Sequence, residues 1–473
     1  MFDKRVTFEW HQSEYEHPDG VWTRAVWPDA EPPPNPFAGR AMATSPRVDP
    51  SHRLDSAPVP TRFLSGLLRD VVILAMFALL AASTAFPAEQ QQEERVRREL
   101  IATLLQEELV WAADDESRFD ELIDTRADGD WRRDYRRSWR RLHAGNQQPP
   151  TAQLEAVEMH DSYAVVATRT TYPDSVWGAI PYRQYQFYRQ VDGIWLRTFP
   201  PDPFWGESHV LETPHLRIVY RDWDAAVVRA AAPRLESAYT TLFELVDLDP
   251  PVAGEPIDGE YHDGKLTLQI VPRTTHSWSG NDTHIEIPSY VSIVSHPSLS
   301  DVDAFTQSVL SGMVFQTLRE VRRPHDWSYA ALWNATFAGL HSWLLNEVSG
   351  HPSLWDQRAE TLLQEKLSGR SALKLTDLSY SPLPNETPEE WLWRMKAGEV
   401  LVDYVVTTHG QEQLPTFLAG LSRYNSWRQL ADALYNVSMA EFEADWNAFV
   451  WDRYGQPNSP VLAAAAPRAS SPK

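Results

Sequence analysis

Cysteine is missing from all 473 residues of this chain. That excludes disulfides, a thiolate nucleophile and any cysteine-ligated metal, so a metal would have to sit on His, Asp or Glu; the redox compartment stays open. An excess of basic residues is missing as well. Lys and Arg total 43 against 65 Asp and Glu, giving a formal charge of −22 and a pI near 5.1. A nucleic-acid polyanion needs a compensating basic surface, so it is excluded as the main partner. No glycine-rich phosphate loop is present, and no serine stands beside a base in sequence as a nucleophile would.

What is there points to folded structure. Hydrophobic residues make up 42% and tryptophans number 20, and the length exceeds what one core usually serves, so two or more domains are expected. One long uncharged run, Val71–Phe86, extended upstream by "RFLSGLLRD", reads as a membrane anchor or an export signal over residues 63–88. Arg47, Arg53, Arg62 and Arg69 precede it, which puts the N-terminus inside and the large C-terminal part outside the cell membrane. Cleavage at "ASTAFPA", giving a secreted protein, is the alternative, and Met42 is a second possible start. Residues 1–62, carrying "EPPPNPFAG", and the tail 456–473 have the composition of disordered segments.

Between these ends the chain reads as α+β. Residues 90–206 open with helical patterns, "EERVRRELIATLLQEELVWAADD" and "WRRDYRRSWRRL", and continue as strand pairs, the second turning at Asp192-Gly193. The arginines of the second helix, Arg132, Arg136 and Arg140 with Arg133, Arg137 and Arg141 beside them, read as a solvated face. Its aromatics Trp131, Tyr135 and Trp139 are assigned to the core, with contact to anionic lipid as the rival. Residues 213–455 begin with strand, helix and strand ("HLRIVYRD", "DAAVVRAAAPRLESAYTTLFELV", "GKLTLQIVP") and a further strand is expected at "IPSYVSIVS", Ile287–Ser295. Mostly helical sequence follows.

The first of those helices, "SLSDVDAFTQSVLSGMVFQTLREV", has a capping pair in Ser300 and Asp303 and an apolar stripe through Val302, Phe305, Val309, Leu310, Met313, Val314 and Leu318. Beside the stripe runs a second line, Ser308, Ser311, Gly312 and Phe315. Ser311 and Phe315, four apart, stand one above the other, as two metal-binding histidines do in HExxH.

Two resemblances give these segments a frame. Residues Glu93–Trp205, above all the closing "VDGIWLRT", resemble nuclear-transport-factor-two-like domains, which implies helices packed into a curved sheet as a cone, with a pocket of unspecified chemistry. Residues His215–Gly455 resemble gluzincin (peptidase MA-like) metallopeptidases, on the element order and on "GRSALKLTDLSYSPL", "GEVLVDYVVTTHGQEQLPTFLAGL" and "SMAEFEADWNAFV". That second likeness implies a small mixed sheet, a helical subdomain, and zinc held by HExxH and a glutamate from the next helix. Laid on this chain, the two histidine positions hold Ser311 and Phe315, the base position Gly312, and the third-ligand position, in "ALWNATFAGL", Thr336. The tyrosine that steadies the oxyanion in such enzymes falls near Met395. None of these side chains can carry zinc or take a proton from water.

The expectation is therefore a membrane-attached, extracytoplasmic binding protein, a degenerate peptidase without metal or cofactor. Its cleft would take an extended peptide or protein along Tyr290, Ser292 and Val294 of the expected strand, with Phe315 beside them. Two alternatives stand: an active zinc peptidase with other ligands, and a structural subunit of a membrane complex. His341, Glu347 and His351, or His276, His284 and His296, are the histidine sets weighed for a replacement metal, and their spacing favours neither.

Overall fold

The computed structural model describes residues 90–455, apart from 145–149, 172–180, 251–255, 258–259, 262, 273–278, 282–283, 323–329, 351–355, 370–371 and 380–385. The segments 1–62, 63–88 and 456–473, together with His276 and His351, lie outside the described residues. Among the described residues no helix is long and apolar enough to cross a membrane. The architecture is mixed α+β, and contacts gather the described chain into two compact units: residues 90–169 with 186–200, and residues 170–185 with 201–455.

In the first unit a long helix, α1 (residues 90–112), precedes α2 (Glu116–Glu121) and α3 (Gly129–Ala144). A four-stranded sheet follows, in the order β1 (Thr151–His160), β2 (Tyr163–Thr171), β3 (Pro181–Val191) and β4 (Ile194–Thr198), with β3 and β4 antiparallel; residues 170–171 and 181–185 of its strands are counted with the second unit. Asp192 and Gly193 both take positive φ, 52° and 83°, as a two-residue hairpin turn requires. One face of α1, with Val96, Leu100 and Leu104, packs on Val166, Tyr188 and Trp195 of the sheet. On α3 the aromatics face inward, Trp131 and Trp139 being buried, while Arg136 pairs with Asp120 and Arg140 with Glu116. This is the solvated-face arrangement with its aromatics in the core.

The second unit is built on a five-stranded sheet whose order runs β10 (Ser279–Asn281), β11 (His284–Pro288), β9 (Leu266–Val271), β6 (Leu216–Arg221), β5 (Ser208–Glu212). The three central strands are parallel, and β5 and β10 run antiparallel at the edges. A separate short hairpin joins β7 (Pro256–Ile257) and β8 (Glu260–Tyr261). Helix α4 (Ala225–Leu245) makes the crossover from β6 towards β9, burying Val228, Leu235 and Leu242 against the sheet. Helices α5 (Asp301–Arg322), α6 (Asn334–Ser349), α7 (Asp356–Ser368), α8 (Pro388–His409), α9 (Leu414–Arg423), α10 (Trp427–Tyr435) and α11 (Met439–Tyr454) complete the unit, and one large core runs from the sheet through them.

One expected element is wrong. Ile287–Ser295 is not a strand: β11 ends at Pro288, and Tyr290–Ser292 forms a short 3-10 turn. The cause lies 65 residues upstream. The buried carboxylate of Asp224 accepts hydrogen bonds from Ser289 Oγ at 2.7 Å and from the Tyr290 backbone N–H at 3.2 Å, and so draws the backbone out of the ladder. Nor does this segment form an edge, since β11 has β9 on one side and β10 on the other.

Candidate functional site

Helix α5 begins as its sequence dictates: Ser300 Oγ receives the Asp303 backbone N–H at 3.0 Å, and the Asp303 side chain reaches back to the same hydroxyl. Phe305, Val309, Leu310, Met313, Val314 and Leu318 are buried, and so are Thr306, Gln307, Gln316 and Thr317 on other sides of the helix. α5 is thus nearly enclosed. Ser311, on its odd line, is where it meets α6: Gly312 is buried, and Ser311 and Phe315 are half-buried.

The contact there is made by His341. Its Nε2 lies 3.1 Å from the Ser311 carbonyl oxygen and 3.4 Å from Ser311 Oγ. A carbonyl can only accept, so Nε2 carries the proton and donates it to the α5 backbone. Burial holds the imidazole below its ordinary pKa, and the bond to Ser311 only partly opposes this, so the ring is neutral. A serine and a histidine therefore stand side by side, but the nitrogen facing the hydroxyl is protonated and cannot serve it as a base.

Thr336 is elsewhere. It is fully buried, its hydroxyl has no hydrogen-bond partner among the described residues, and it is five residues from His341, about 140° around the helix. The structure thus joins Ser311 to His341 and not to Thr336. The turn carrying Tyr290 and Ser292 leads on through Val294, which is buried, and among the described residues the hydroxyl of Ser292 has no partner. Met395 packs with Ala359, Leu362 and Leu392 in a small apolar cluster. Among the described residues, no group of three His, Asp or Glu side chains is arranged to hold a metal ion. Of the remaining histidines, His296 is engaged with Ser298 in its own loop, and His284 lies half-buried on β11.

The opposite face of α6 holds chemistry that motif reading missed. Gly339 and Gly398 allow α6 and α8 to cross so closely that a Cβ at Gly339 would stand 2.2 Å from the Glu399 backbone nitrogen. Around this crossing Lys396 Nζ binds Glu399 Oε1 at 2.6 Å and Asp356 Oδ1 at 3.3 Å. Ser342 Oγ donates to Glu399 Oε2 at 2.7 Å, and the Asn346 amide donates to both acids. Burial pushes the Glu399 carboxyl up, with Lys396 opposing. Burial also works to lower the Lys396 pKa, but Glu399 and Asp356 more than offset it and the ammonium stays charged. The only sequence signal was two charges three residues apart inside the apolar run "MKAGEVLV".

A second polar group lies in the first unit. Arg197 donates to the Tyr188 hydroxyl at 2.8 Å, that hydroxyl donates to Gln186 Oε1 at 2.8 Å, and Glu107 Oε2 is 3.6 Å from the guanidinium. Burial raises the Glu107 carboxyl above its usual range, with Arg197 opposing. Among the described residues Glu107 Oε1 has no hydrogen-bond partner. No protein-family model matches the chain, and no curated protein matches it either.

Proposed function

We propose that the chain is a membrane-attached, extracytoplasmic binding protein: a cone-like α+β domain followed by a gluzincin-like scaffold that has lost its zinc site. The observation that carries this reading is the α5–α6 contact. Where the resemblance puts a histidine, Ser311 stands instead, and its backbone is tied to a neutral His341 that is already committed as a donor. Gly312 and Phe315 fill the base and second-histidine positions with groups that cannot ligate a metal. The ligand in this reading is an extended peptide or protein segment. Because Tyr290–Ser292 is a turn, strand addition falls to the edge formed by β10, one strand beyond β11.

Metal analysis of the purified chain, with a peptide-cleavage assay and a peptide-binding array, tests this. The expected result is no stoichiometric zinc, no cleavage, no change of melting temperature with a chelator, and capture of extended peptides. One tightly held zinc per chain, or cleavage abolished by a chelator, would establish the peptidase reading instead.

A further inference from the structure

Helix α1 has two apolar faces, and only one of them is used inside its unit. Val96, Leu100 and Leu104 recur every four residues and are buried. On the other side Ile101, Leu105 and Leu109 recur at the same spacing, with 39%, 55% and 71% of their surface exposed. The two lines are separated by roughly 140° around the helix. Single exposed apolar residues are ordinary, but a row of three on one face is a contact surface.

The charges along this face select what covers it. Arg98 lies on the exposed face one turn before Ile101; its Nε donates to the Glu94 carbonyl, and among the described residues it has no ion pair. Glu108, whose carboxylate accepts the Ala152 backbone N–H at 2.8 Å, lies towards the other end of the face, followed just beyond the helix by Asp114 and by Asp115, which caps α2. The N-terminal part of the face carries both signs, Glu94 and, one turn later, Arg98, while its C-terminal end is acidic and carries the negative end of the helix dipole. Two such helices side by side in parallel would oppose Arg98 to Arg98 and Glu108 to Glu108. Turned antiparallel about a two-fold at Leu105, each Arg98 meets the acidic end of the other helix, Ile101 lies opposite the second copy's Leu109, and the small Ala102 lies opposite Glu108. An anionic lipid surface would instead meet Glu94 and Glu108 on the same face.

We infer that α1 is a homodimerisation surface, two copies pairing antiparallel through Ile101, Leu105 and Leu109. Three apolar side chains from each copy make a small contact, of the transient class below about 1,200 Å², so the association is concentration-dependent. It does not depend on the peptidase-like reading, which concerns the other unit.

The absence of cysteine from the chain makes the test direct. Single cysteines are placed in the full-length chain as Ile101→Cys, Leu105→Cys and Leu109→Cys, and oxidised under copper catalysis. Leu105→Cys should link to itself. Ile101→Cys alone and Leu109→Cys alone should link poorly, since each meets its own copy about 12 Å out of register along the helix, while a mixture of the two should link well. Adding Leu105→Glu to that mixture should lower the yield at least about tenfold, with an unchanged near-ultraviolet circular dichroism spectrum showing that the fold is intact. Self-linking at all three positions, or linking at Leu105 without the Ile101 to Leu109 exchange, would overturn the antiparallel pairing. Failure of all variants to link would overturn dimerisation. In that case maleimide labelling of Leu105→Cys assigns the face to the chain's own residues if the thiol is unreactive without vesicles, and to lipid if the thiol reacts without vesicles and is protected when phosphatidylcholine vesicles are added.

Discussion

Helix α6 has two working faces, and they differ in kind. Towards α5 it presents His341, a single neutral donor on a carbonyl, at the place where the resemblance would put a catalytic metal. Towards α8 it presents Gly339, Ser342 and Asn346, and these close over a lysine and two carboxylates held out of water. The demanding electrostatics of this unit lie at a helix crossing and not at the candidate site. Perturbed ionisable groups are signs of function only where a ligand can reach them, and the α6–α8 cluster is sealed by the close approach of two backbones.

The comparison is broken most severely at the glycine. Gly339→Val should prevent the second unit from folding, a loss above about 4 kcal/mol, because the new side chain meets backbone that cannot move aside; helical content and soluble yield are the measurements. Lys396→Met is next. It leaves Glu399 and Asp356 buried without their cation and should cost about 3–5 kcal/mol in urea unfolding, and adding Glu399→Gln and Asp356→Asn should recover part of it.

Away from both faces, at the start of α4, burial raises the pKa of Asp224 to about 6, with the bonds from Ser289 and Tyr290 opposing. A folded pKa above the unfolded one means that the protonated form is favoured by folding. That contribution is complete below about pH 3.9 and is lost as pH rises through 6, a change of about 3 kcal/mol. Urea unfolding at pH 4 and pH 7 should show this loss in the native chain and a smaller one in Asp224→Asn. The smallest effect is expected at His341: His341→Leu removes one donor to a carbonyl that keeps its helical bond and should cost no more than about 1.5 kcal/mol. A cost above 3 kcal/mol would show that the two faces of α6 carry similar loads.

Local pattern made much of the fold readable. The Ser300–Asp303 pair opens α5, and the turn at Asp192-Gly193 closes the β3–β4 hairpin, because both rest on contacts within a few residues. The segment Ile287–Ser295 was misread because its apolar alternation suits a strand, while the acceptor that turns it, Asp224, is remote in the chain. At the candidate site, Ser311, Gly312 and Phe315 were picked out by their spacing. In sequence His341 presents itself only as a possible metal ligand, because nothing nearby shows that the Ser311 carbonyl is its partner.

The sequence by itself determined which residues can do chemistry here and which cannot: there is no cysteine, and no histidine or carboxylate stands at the α5 positions where the resemblance would put metal ligands. It also determined the helices and hairpins whose caps and turns are local. Only the tertiary structure decided that α6 would carry a neutral histidine on one face and a buried ion cluster on the other. The physical reason is that burial and partner choice are properties of packing: Lys396 and His341 titrate according to what two or three other helices bring against them, and no stretch of sequence contains those neighbours.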